Sequence, residues 1–250
     1  MKKAIKLLSI ALVCLTLLCS CALQNPFGTN YKQITNDIFT KYIEMNVAVI
    51  TTHTNSEKSY DSQGSGVIYA MDDTYYYCLT NAHVVDENPD YPETTYKVFD
   101  CYGSEYRGTL LNSDISCDLA VIRFVRGGEE LCVASLAEKS PKRGEEVITI
   151  STSNGMYNAV TYGKIKKIAP VELNPLEGDA ETNVTFPVIW HTAPMYSGGS
   201  GSVLLNTDME LVGINYAVGE NKNGSFLYGF AVSVTYVRSY LETNNLMMQR

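Results

Sequence analysis

Three residue types that together perform nucleophilic catalysis occur in separate stretches of the chain: His83, Asp118 and Ser200. A serine hydroxyl is a poor nucleophile at neutral pH and needs a positioned base. An imidazole can serve as that base, and a carboxylate can hold its tautomer and stabilise the imidazolium that forms. The three residues therefore predict acyl-transfer chemistry, provided that the fold brings them together.

The segment around Ser200 has the composition that such a nucleophile needs. Residues 198–202 are Gly-Gly-Ser-Gly-Ser and lead into an apolar run. Glycines let the chain turn tightly and let a substrate carbonyl approach the backbone amides. Taken alone, the segment is equally compatible with a flexible loop, and Ser197 is a second candidate nucleophile.

The chain has only three histidines from which to choose a base. His83 follows an apolar stretch, so it is expected at a strand end, where a side chain can reach a cleft. His53 lies in a polar run and is expected to be a solvated loop residue. His191, on a predicted strand nine residues before Ser200, is a less favoured candidate.

The candidate acid is Asp118, which immediately precedes an apolar strand. A carboxylate in that position is usually a turn residue, so its catalytic assignment depends on the other two segments. Asp114, four residues earlier, is the alternative, but no apolar strand follows it directly.

Taken together, these segments resemble the trypsin-like peptidases, especially the HtrA/DegP group and the glutamyl endopeptidases. The resemblance covers roughly residues 45–242, and the order His, Asp, Ser is that of the chymotrypsin fold. It favours Ser200 over Ser197, because the following strand then lies at the family's distance. The matching motifs are 64–68 (Gly-Ser-Gly-Val-Ile), 80–85 (Thr-Asn-Ala-His-Val-Val), 118–121 (Asp-Leu-Ala-Val), 198–202, 211–215 (Leu-Val-Gly-Ile-Asn) and 229–232 (Gly-Phe-Ala-Val).

The resemblance implies an all-β fold of two six-stranded antiparallel β-barrels with a C-terminal helix. It implies a serine endopeptidase that acts on polypeptides through an acyl-enzyme on Ser200, with no metal and no cofactor. It also implies that the N–H groups of Gly198 and Ser200 form the oxyanion hole. Two departures from the family pattern, Gly199 for Asn or Asp and Val203 for Pro, keep an inactive binding module as an alternative. A lipid-anchored structural protein without this fold is a second alternative.

The resemblance also suggests which residues line the pocket for the side chain before the cleaved bond. They are Asn215, Tyr216, Ala217, Gly229 and Phe230, together with the loop 194–197. The glutamyl endopeptidases have a histidine where this chain has Asn215, so specificity for Glu is not expected. Because these stretches contain no carboxylate or amine, we expect a small or medium apolar substrate residue. Core packing is the competing role for Ile214 and Phe230.

The elements that must position these residues follow from runs rich in Val, Ile, Thr and Tyr, separated by turn residues. We predict a first barrel within 45–126, a second within 145–233, and a helix over 234–242 in the C-terminal segment 234–250. A short helix is predicted over 37–44 and a surface loop over 172–183. The predicted strands are 47–52, 66–70, 75–80, 95–102, 106–112, 119–125, 146–151, 159–168, 187–192, 202–205, 211–217 and 226–232.

The N-terminus has the features of a bacterial lipoprotein signal over 1–20. Three lysines precede an apolar run that is too short to span a bilayer. The following Leu18-Cys19-Ser20-Cys21 resembles a lipobox, which predicts lipidation of Cys21 and a tether over 21–44. The protein is then expected in the bacterial cell envelope, anchored to the membrane and facing outside the cytoplasm. An ordinary secretory signal is the alternative.

Composition narrows the class of partner and the redox chemistry. The net charge is −8, with no cluster of Lys and Arg after the first six residues, which argues against a nucleic-acid partner. An exported location permits disulfides. The cysteines that follow the predicted tether are Cys78, Cys101, Cys117 and Cys132. They could form disulfides in three pairings, but we favour free thiols packed in strands.

Overall fold

The computed structural model describes residues 31–128, 130–153, 156–171 and 184–248. The predicted signal, Cys21 and the predicted loop 172–183 lie outside these residues. The strands are β1 (Asn46–Thr54), β2 (Ser59–Met71), β3 (Tyr75–Thr80), β4 (Glu93–Phe99), β5 (Glu105–Asp114), β6 (Leu119–Val125), β7 (Ser135–Leu136), β8 (Glu146–Ser153), β9 (Met156–Ala169), β10 (Val188–His191), β11 (Val203–Leu205), β12 (Glu210–Glu220) and β13 (Phe226–Ser233).

The N-terminal helix differs from its prediction. Helix α1 (Tyr31–Thr40) begins inside the predicted tether, and a separate 3₁₀ turn follows over Tyr42–Met45. The amide of Gln33 donates to the Asp37 carboxylate at 2.8 Å, one helical turn away. The chain divides into two units after Phe39, so α1 is described by itself. None of the helices in the described ranges is long and apolar enough to cross a membrane.

Strands β1 to β6 form the first barrel, in the order β1-β2-β3-β6-β5-β4, closed by pairing of β1 with β4. Alternate side chains of a strand point to opposite faces, so one face of each strand fills the interior. The core consists of buried apolar residues from β1, β2, β3, β4 and β6, against which Tyr106 and Leu110 of β5 pack partly buried. The buried residues include Val47, Val49, Ile68, Tyr76, Val98, Ile122 and Phe124.

The second barrel has the order β11-β8-β9-β10-β13-β12 and is closed by pairing of β11 with β12. The two-residue strand β7, which the sequence did not predict, lies parallel to β12 on its other side. Buried aliphatic residues such as Ile150, Ile189 and Ile214 fill the interior. The prediction of two six-stranded antiparallel barrels is therefore confirmed.

The C-terminal helix α2 (Val234–Thr243) is also confirmed, and it contacts β12 and β13 of the second barrel and β5 of the first. Its apolar side, which includes Val237 and Leu241, is buried. The Arg238 guanidinium donates to the carbonyls of Leu136 and Ala137 at 2.8 and 3.0 Å, and the Tyr240 hydroxyl donates to Asn112 of β5 at 3.2 Å.

Candidate active site

His83 lies on a single 3₁₀ turn, Ala82–Val84, directly after β3. The residues on either side of it, Ala82 and Val84, are almost completely buried, which fixes the turn to the barrel. The His83 side chain is 43% exposed, so the ring faces accessible space. The strand-end position predicted from the sequence is thus where the structure has it.

Asp118 ends the tight turn between β5 and β6, with a left-handed backbone (φ 51°) that an aspartate tolerates better than most residues. Its carboxylate contacts Nδ1 of His83 through Oδ2 at 2.8 Å and Oδ1 at 3.0 Å. The backbone N–H of His83 also donates to Oδ1, at 3.0 Å. Because the carboxylate accepts a hydrogen bond from Nδ1–H, Nε2 is left as the nitrogen that can take up a proton.

Asn81 forms a hydrogen bond to the turn that contains Asp118, a role that the sequence did not predict. Its fully buried side chain donates through Nδ2 to the backbone carbonyl of Asp118 at 2.8 Å. Asn81 is part of the motif 80–85, but the residue type alone does not show which carbonyl its side-chain amide will bond to.

The alternative acid, Asp114, has a different role. Its Oδ1 accepts hydrogen bonds from the N–H and the hydroxyl of Ser116, at 2.9 and 2.6 Å. The carboxylate therefore caps its own turn, whereas Asp118 contacts the imidazole.

Ser200 lies in a loop whose peptide groups are held from several sides. Its carbonyl accepts the N–H of Ser65, in β2 of the first barrel, at 2.7 Å. The N–H of Gly201 donates to the carbonyl of Asn215 at 2.8 Å. A Cβ on Gly201, whose φ is +84°, would collide with the Ser65 carbonyl and the Thr80 hydroxyl, so this position requires glycine.

The Ser200 hydroxyl donates to the carbonyl of Tyr216 at 3.3 Å. No hydrogen bond joins it to His83, although both residues are described. Their segments are nevertheless adjacent, because a Cβ on Gly64 would lie 2.6 Å from Cγ2 of Val84 and 3.1 Å from the Ser200 carbonyl oxygen. The His83 turn and the Ser200 loop therefore both pack against Gly64 of β2. The Ser200 hydroxyl points to the Tyr216 carbonyl.

Two amides of the loop remain available for an incoming oxygen. Within the described part of the chain, neither the Gly198 nor the Ser200 N–H donates to another backbone carbonyl, whereas the Gly199 N–H donates to Tyr196 at 2.9 Å. Gly198 has φ +88°, and a Cβ there would lie 2.6 Å from the carbonyl oxygen of Thr152. The alternative nucleophile, Ser197, is an exposed residue of the preceding turn.

The predicted pocket residues lie on two paired strands, with Ala217 of β12 opposite Phe230 of β13. Asn215 is fully buried, and its Nδ2 donates to the Ser202 hydroxyl at 3.0 Å and to the Val203 carbonyl at 3.3 Å. Tyr216, Gly229 and Phe230 are also buried, and Ala217 is half-buried. The polar atoms of the Asn215 side chain are thus used inside the protein.

His191, which the prediction did not include in the pocket, lies against Gly229, as does Met195 of the predicted loop 194–197. A Cβ on Gly229 would collide with the His191 ring and would be 3.0 Å from Sδ of Met195. Nε2 of His191 is 3.0 Å from Oδ1 of Asn215, and Nδ1 has no partner. Burial lowers the pKa of His191 from 6.5 to about 4, although the hydrogen bond to Asn215 acts in the opposite direction.

The prediction for His53 was wrong. The residue is part of β1, paired with Tyr60 of β2 and Thr94 of β4, and it is only 4% exposed. Its ring stacks on that of Tyr60, with 4.8 Å between the centroids. This run is polar, like a loop, but it forms a strand because it pairs with β2 on one side and β4 on the other.

The four cysteines of the domain carry free thiols in the structure. Cys78 is completely buried, and burial raises its pKa well above the usual range. Burial also raises the pKa of Cys117, beside the acid, to about 11, with the Asp114 carboxylate contributing. The described residues contain no group of three or more His, Cys, Asp or Glu side chains arranged to hold a metal ion.

Comparison with known proteins agrees with this geometry. The family model for the trypsin-like peptidase domain matches residues 64–214, more than half of the chain. The chain is 33% identical to serine protease Do-like HtrA of Bacillus subtilis (strain 168) over 165 residues, which is 64% of this chain and 34% of the relative. It is 29% identical to periplasmic serine endoprotease DegP of Escherichia coli (strain K12) over 184 residues, 73% of this chain and 36% of the relative.

A third relative, serine protease Do-like HtrB of Bacillus subtilis (strain 168), is 31% identical over 172 residues, which cover 67% of this chain and 35% of the relative. The chain thus spans about a third of the length of these relatives. The matched segment includes the His83 turn, the Asp118 turn and the Ser200 loop. With two closed barrels and this family match, the chain belongs to the trypsin-like peptidase family.

Proposed function

We propose that this protein is a serine endopeptidase that cleaves polypeptides through an acyl-enzyme on Ser200. The observation that carries the proposal is the contact of both Asp118 carboxylate oxygens with Nδ1 of His83, at 2.8 and 3.0 Å. That contact directs Nε2 away from the carboxylate, as a general base must be oriented.

In the first step, the Ser200 hydroxyl rotates from the Tyr216 carbonyl towards Nε2 of His83. As its oxygen attacks the substrate carbonyl, the proton passes to Nε2, and Asp118 stabilises the imidazolium. The free N–H groups of Gly198 and Ser200 donate to the oxygen that becomes negative. His83 then returns the proton to the leaving amine, and water releases the acyl group by the reverse sequence.

The substrate residue before the cleaved bond is proposed to be apolar and of small or medium size. The Asn215 amide is already bonded to Ser202, Val203 and His191, so it offers no free polar group. None of the residues proposed to line the pocket carries a charge. A peptide library incubated with the protein should be cut mainly after Ala, Val or Leu. Cleavage mainly after Glu, Lys or Arg would contradict this assignment.

Activity is tested by labelling the purified full-length chain with a fluorophosphonate probe, which reacts with an activated serine. The wild type should label, whereas Ser200→Ala and His83→Ala should not. Ser197→Ala is the matched control, since it removes a hydroxyl from the same loop, and it should label like the wild type. Labelling of Ser200→Ala would assign the nucleophile elsewhere.

One observation favours the second candidate function, an inactive binding module. The Ser200 hydroxyl is bonded to Tyr216 and not to His83. If that orientation persists with substrate bound, the serine is not activated. A folded wild-type protein that binds peptides but neither labels nor cleaves them would establish this alternative.

We further propose that the protein is anchored outside the cytoplasm by lipid on Cys21. The lipobox-like residues 18–21 support this, as does the periplasmic location in the printed name of the Escherichia coli relative. Cells grown with an alkyne fatty acid should incorporate the label into the wild type but not into Cys21→Ser. Equal incorporation into both proteins would exclude Cys21 as the lipid site.

A further inference from the structure

Ser65 is a fully buried polar residue of β2 whose hydrogen bonds connect the first barrel to the serine loop of the second. Its N–H donates to the Ser200 carbonyl at 2.7 Å, and its hydroxyl donates to the Gly198 carbonyl at 2.7 Å. The same hydroxyl oxygen accepts the N–H of Thr152 in β8 at 2.8 Å. One residue of the first barrel thus bonds to three residues of the second, two in the serine loop and one in β8.

The partners of Ser65 belong to peptide groups that are also held at their other end. The peptide joining residues 198 and 199 has its carbonyl bonded to the Ser65 hydroxyl and its N–H bonded to Tyr196 at 2.9 Å. The peptide joining residues 200 and 201 has its carbonyl bonded to the Ser65 N–H and its N–H bonded to Asn215 at 2.8 Å. Because a peptide group is planar, two bonds at opposite ends fix its rotation.

The peptide that joins residues 199 and 200 lies between these two and carries the Ser200 N–H, which is proposed to stabilise the negative oxygen. Its carbonyl, on Gly199, accepts the N–H of Ser202 at 3.1 Å. The N–H of Ser200 must then point the opposite way, because the two groups of a trans peptide are antiparallel. Ser65 orients the flanking peptides on both sides, so it indirectly sets the direction of the Ser200 N–H and the conformation at Gly198.

We propose that Ser65 is a positioning residue, which orients the amides of Gly198 and Ser200 for the oxygen of the tetrahedral intermediate. This rests on the proposed function, since an oxyanion hole is useful only if Ser200 attacks a carbonyl. Without the hydroxyl, the Gly198 carbonyl and the Thr152 N–H lose a buried partner, and the peptide between residues 198 and 199 is held only by its N–H bond to Tyr196.

The substitution Ser65→Ala tests the proposal in the purified full-length protein. Complete loss of an oxyanion donor costs about 100- to 1000-fold in rate. Misalignment should cost less, so we expect kcat to fall by about 10- to 100-fold while KM changes by less than about twofold. The inhibition constant of a peptide aldehyde, whose adduct places an oxygen in the hole, should rise by a similar factor. A residue that merely supported the fold would not separate kcat from KM in this way.

Tyr69→Phe is the matched control, because it also removes a hydroxyl of β2 that donates to a backbone carbonyl, that of Leu246 at 3.0 Å. It should leave kcat and the aldehyde constant unchanged. Ser65→Cys, which keeps a side chain of similar shape with a weaker donor, should give an intermediate kcat, and it serves if Ser65→Ala does not fold. Wild-type values for kcat and the aldehyde constant in the Ser65 variants would overturn the proposal.

Amide hydrogen exchange of the segment 196–202 keeps the test independent of activity. Exchange in this segment should be faster in Ser65→Ala than in the wild type and unchanged in Tyr69→Phe. If the wild type does not react with a fluorophosphonate, the proposed function fails, and faster exchange would then show only that Ser65 holds the 196–202 segment in place. Equal exchange in all three proteins would refute the positioning role.

Discussion

Stability at acid pH should depend strongly on His191. The ring is fully buried, its Nε2 is bonded to Asn215, and its Nδ1 has no partner. Burial lowers its pKa from 6.5 to about 4 in the folded state. The unfolded chain therefore binds a proton below pH 6.5 that the folded protein does not bind until about pH 4. Stability must consequently fall as the pH falls through this window.

The magnitude follows from the shift in pKa, since one unit corresponds to about 1.4 kcal/mol. Between pH 7 and pH 4, His191 should remove about 3 kcal/mol from the free energy of unfolding, and about 2 kcal/mol should already be lost at pH 5. Domains of this size are stable by about 5–15 kcal/mol, so the loss is a large fraction of the total.

The assay compares the wild type with His191→Gln by urea unfolding at several pH values between 4 and 7.5. Glutamine can still donate to Asn215 from a position close to Nε2, but it does not titrate. Carboxylates common to both proteins cancel in the difference, which should change by about 3 kcal/mol between pH 7 and pH 4. Parallel stability curves for the two proteins would refute the reasoning.

Three further predictions concern the site and its surroundings. Asp118→Asn should lower kcat on a peptide substrate by about 10⁴-fold, because an asparagine favours the wrong imidazole tautomer. The control Asp114→Asn should keep nearly wild-type activity. Equal effects of the two substitutions would show that Asp118 does not orient the base. Gly201→Ala should lower the free energy of unfolding by at least about 1–3 kcal/mol in urea, because its φ is +84° and a Cβ would meet the Ser65 carbonyl, whereas Gly128→Ala, with open space around it, should be nearly neutral. In native protein treated with a maleimide and mapped by mass spectrometry, the buried Cys78 should react only after denaturant is added, and rapid labelling of the native thiol would contradict its burial.

The sequence predicted strand positions well where local chemistry ends a strand. The bounds of β3 and β6 match because turns at Asp72 and Asp118 delimit them. The prediction for β4 continued to residue 102, but the strand ends at Phe99. The Asp100 side chain accepts the N–H groups of Tyr102 and Ser104, both at 2.9 Å, and thereby forms a turn.

Features that depend on residues distant in the chain could not be predicted in the same way. The His191 ring can be buried only because residue 229, on a neighbouring strand, is a glycine without a Cβ. The bonds of Ser65 to the serine loop join residues 133 or more positions apart. The orientation of the Ser200 hydroxyl is a side-chain rotamer, which no pattern of residue types specifies.

The strand that closes the second barrel, β11, begins three residues after Ser200 and is only three residues long. Strand β11 must fit between β8 and β12 before the ring is complete, and the Ser200 loop also needs a donor from the first barrel. On the proposed function, hydrolysis therefore requires a molecule in which both barrels are assembled. On that proposal, a partly unfolded copy would be a potential substrate for folded copies but would be unable to cleave them.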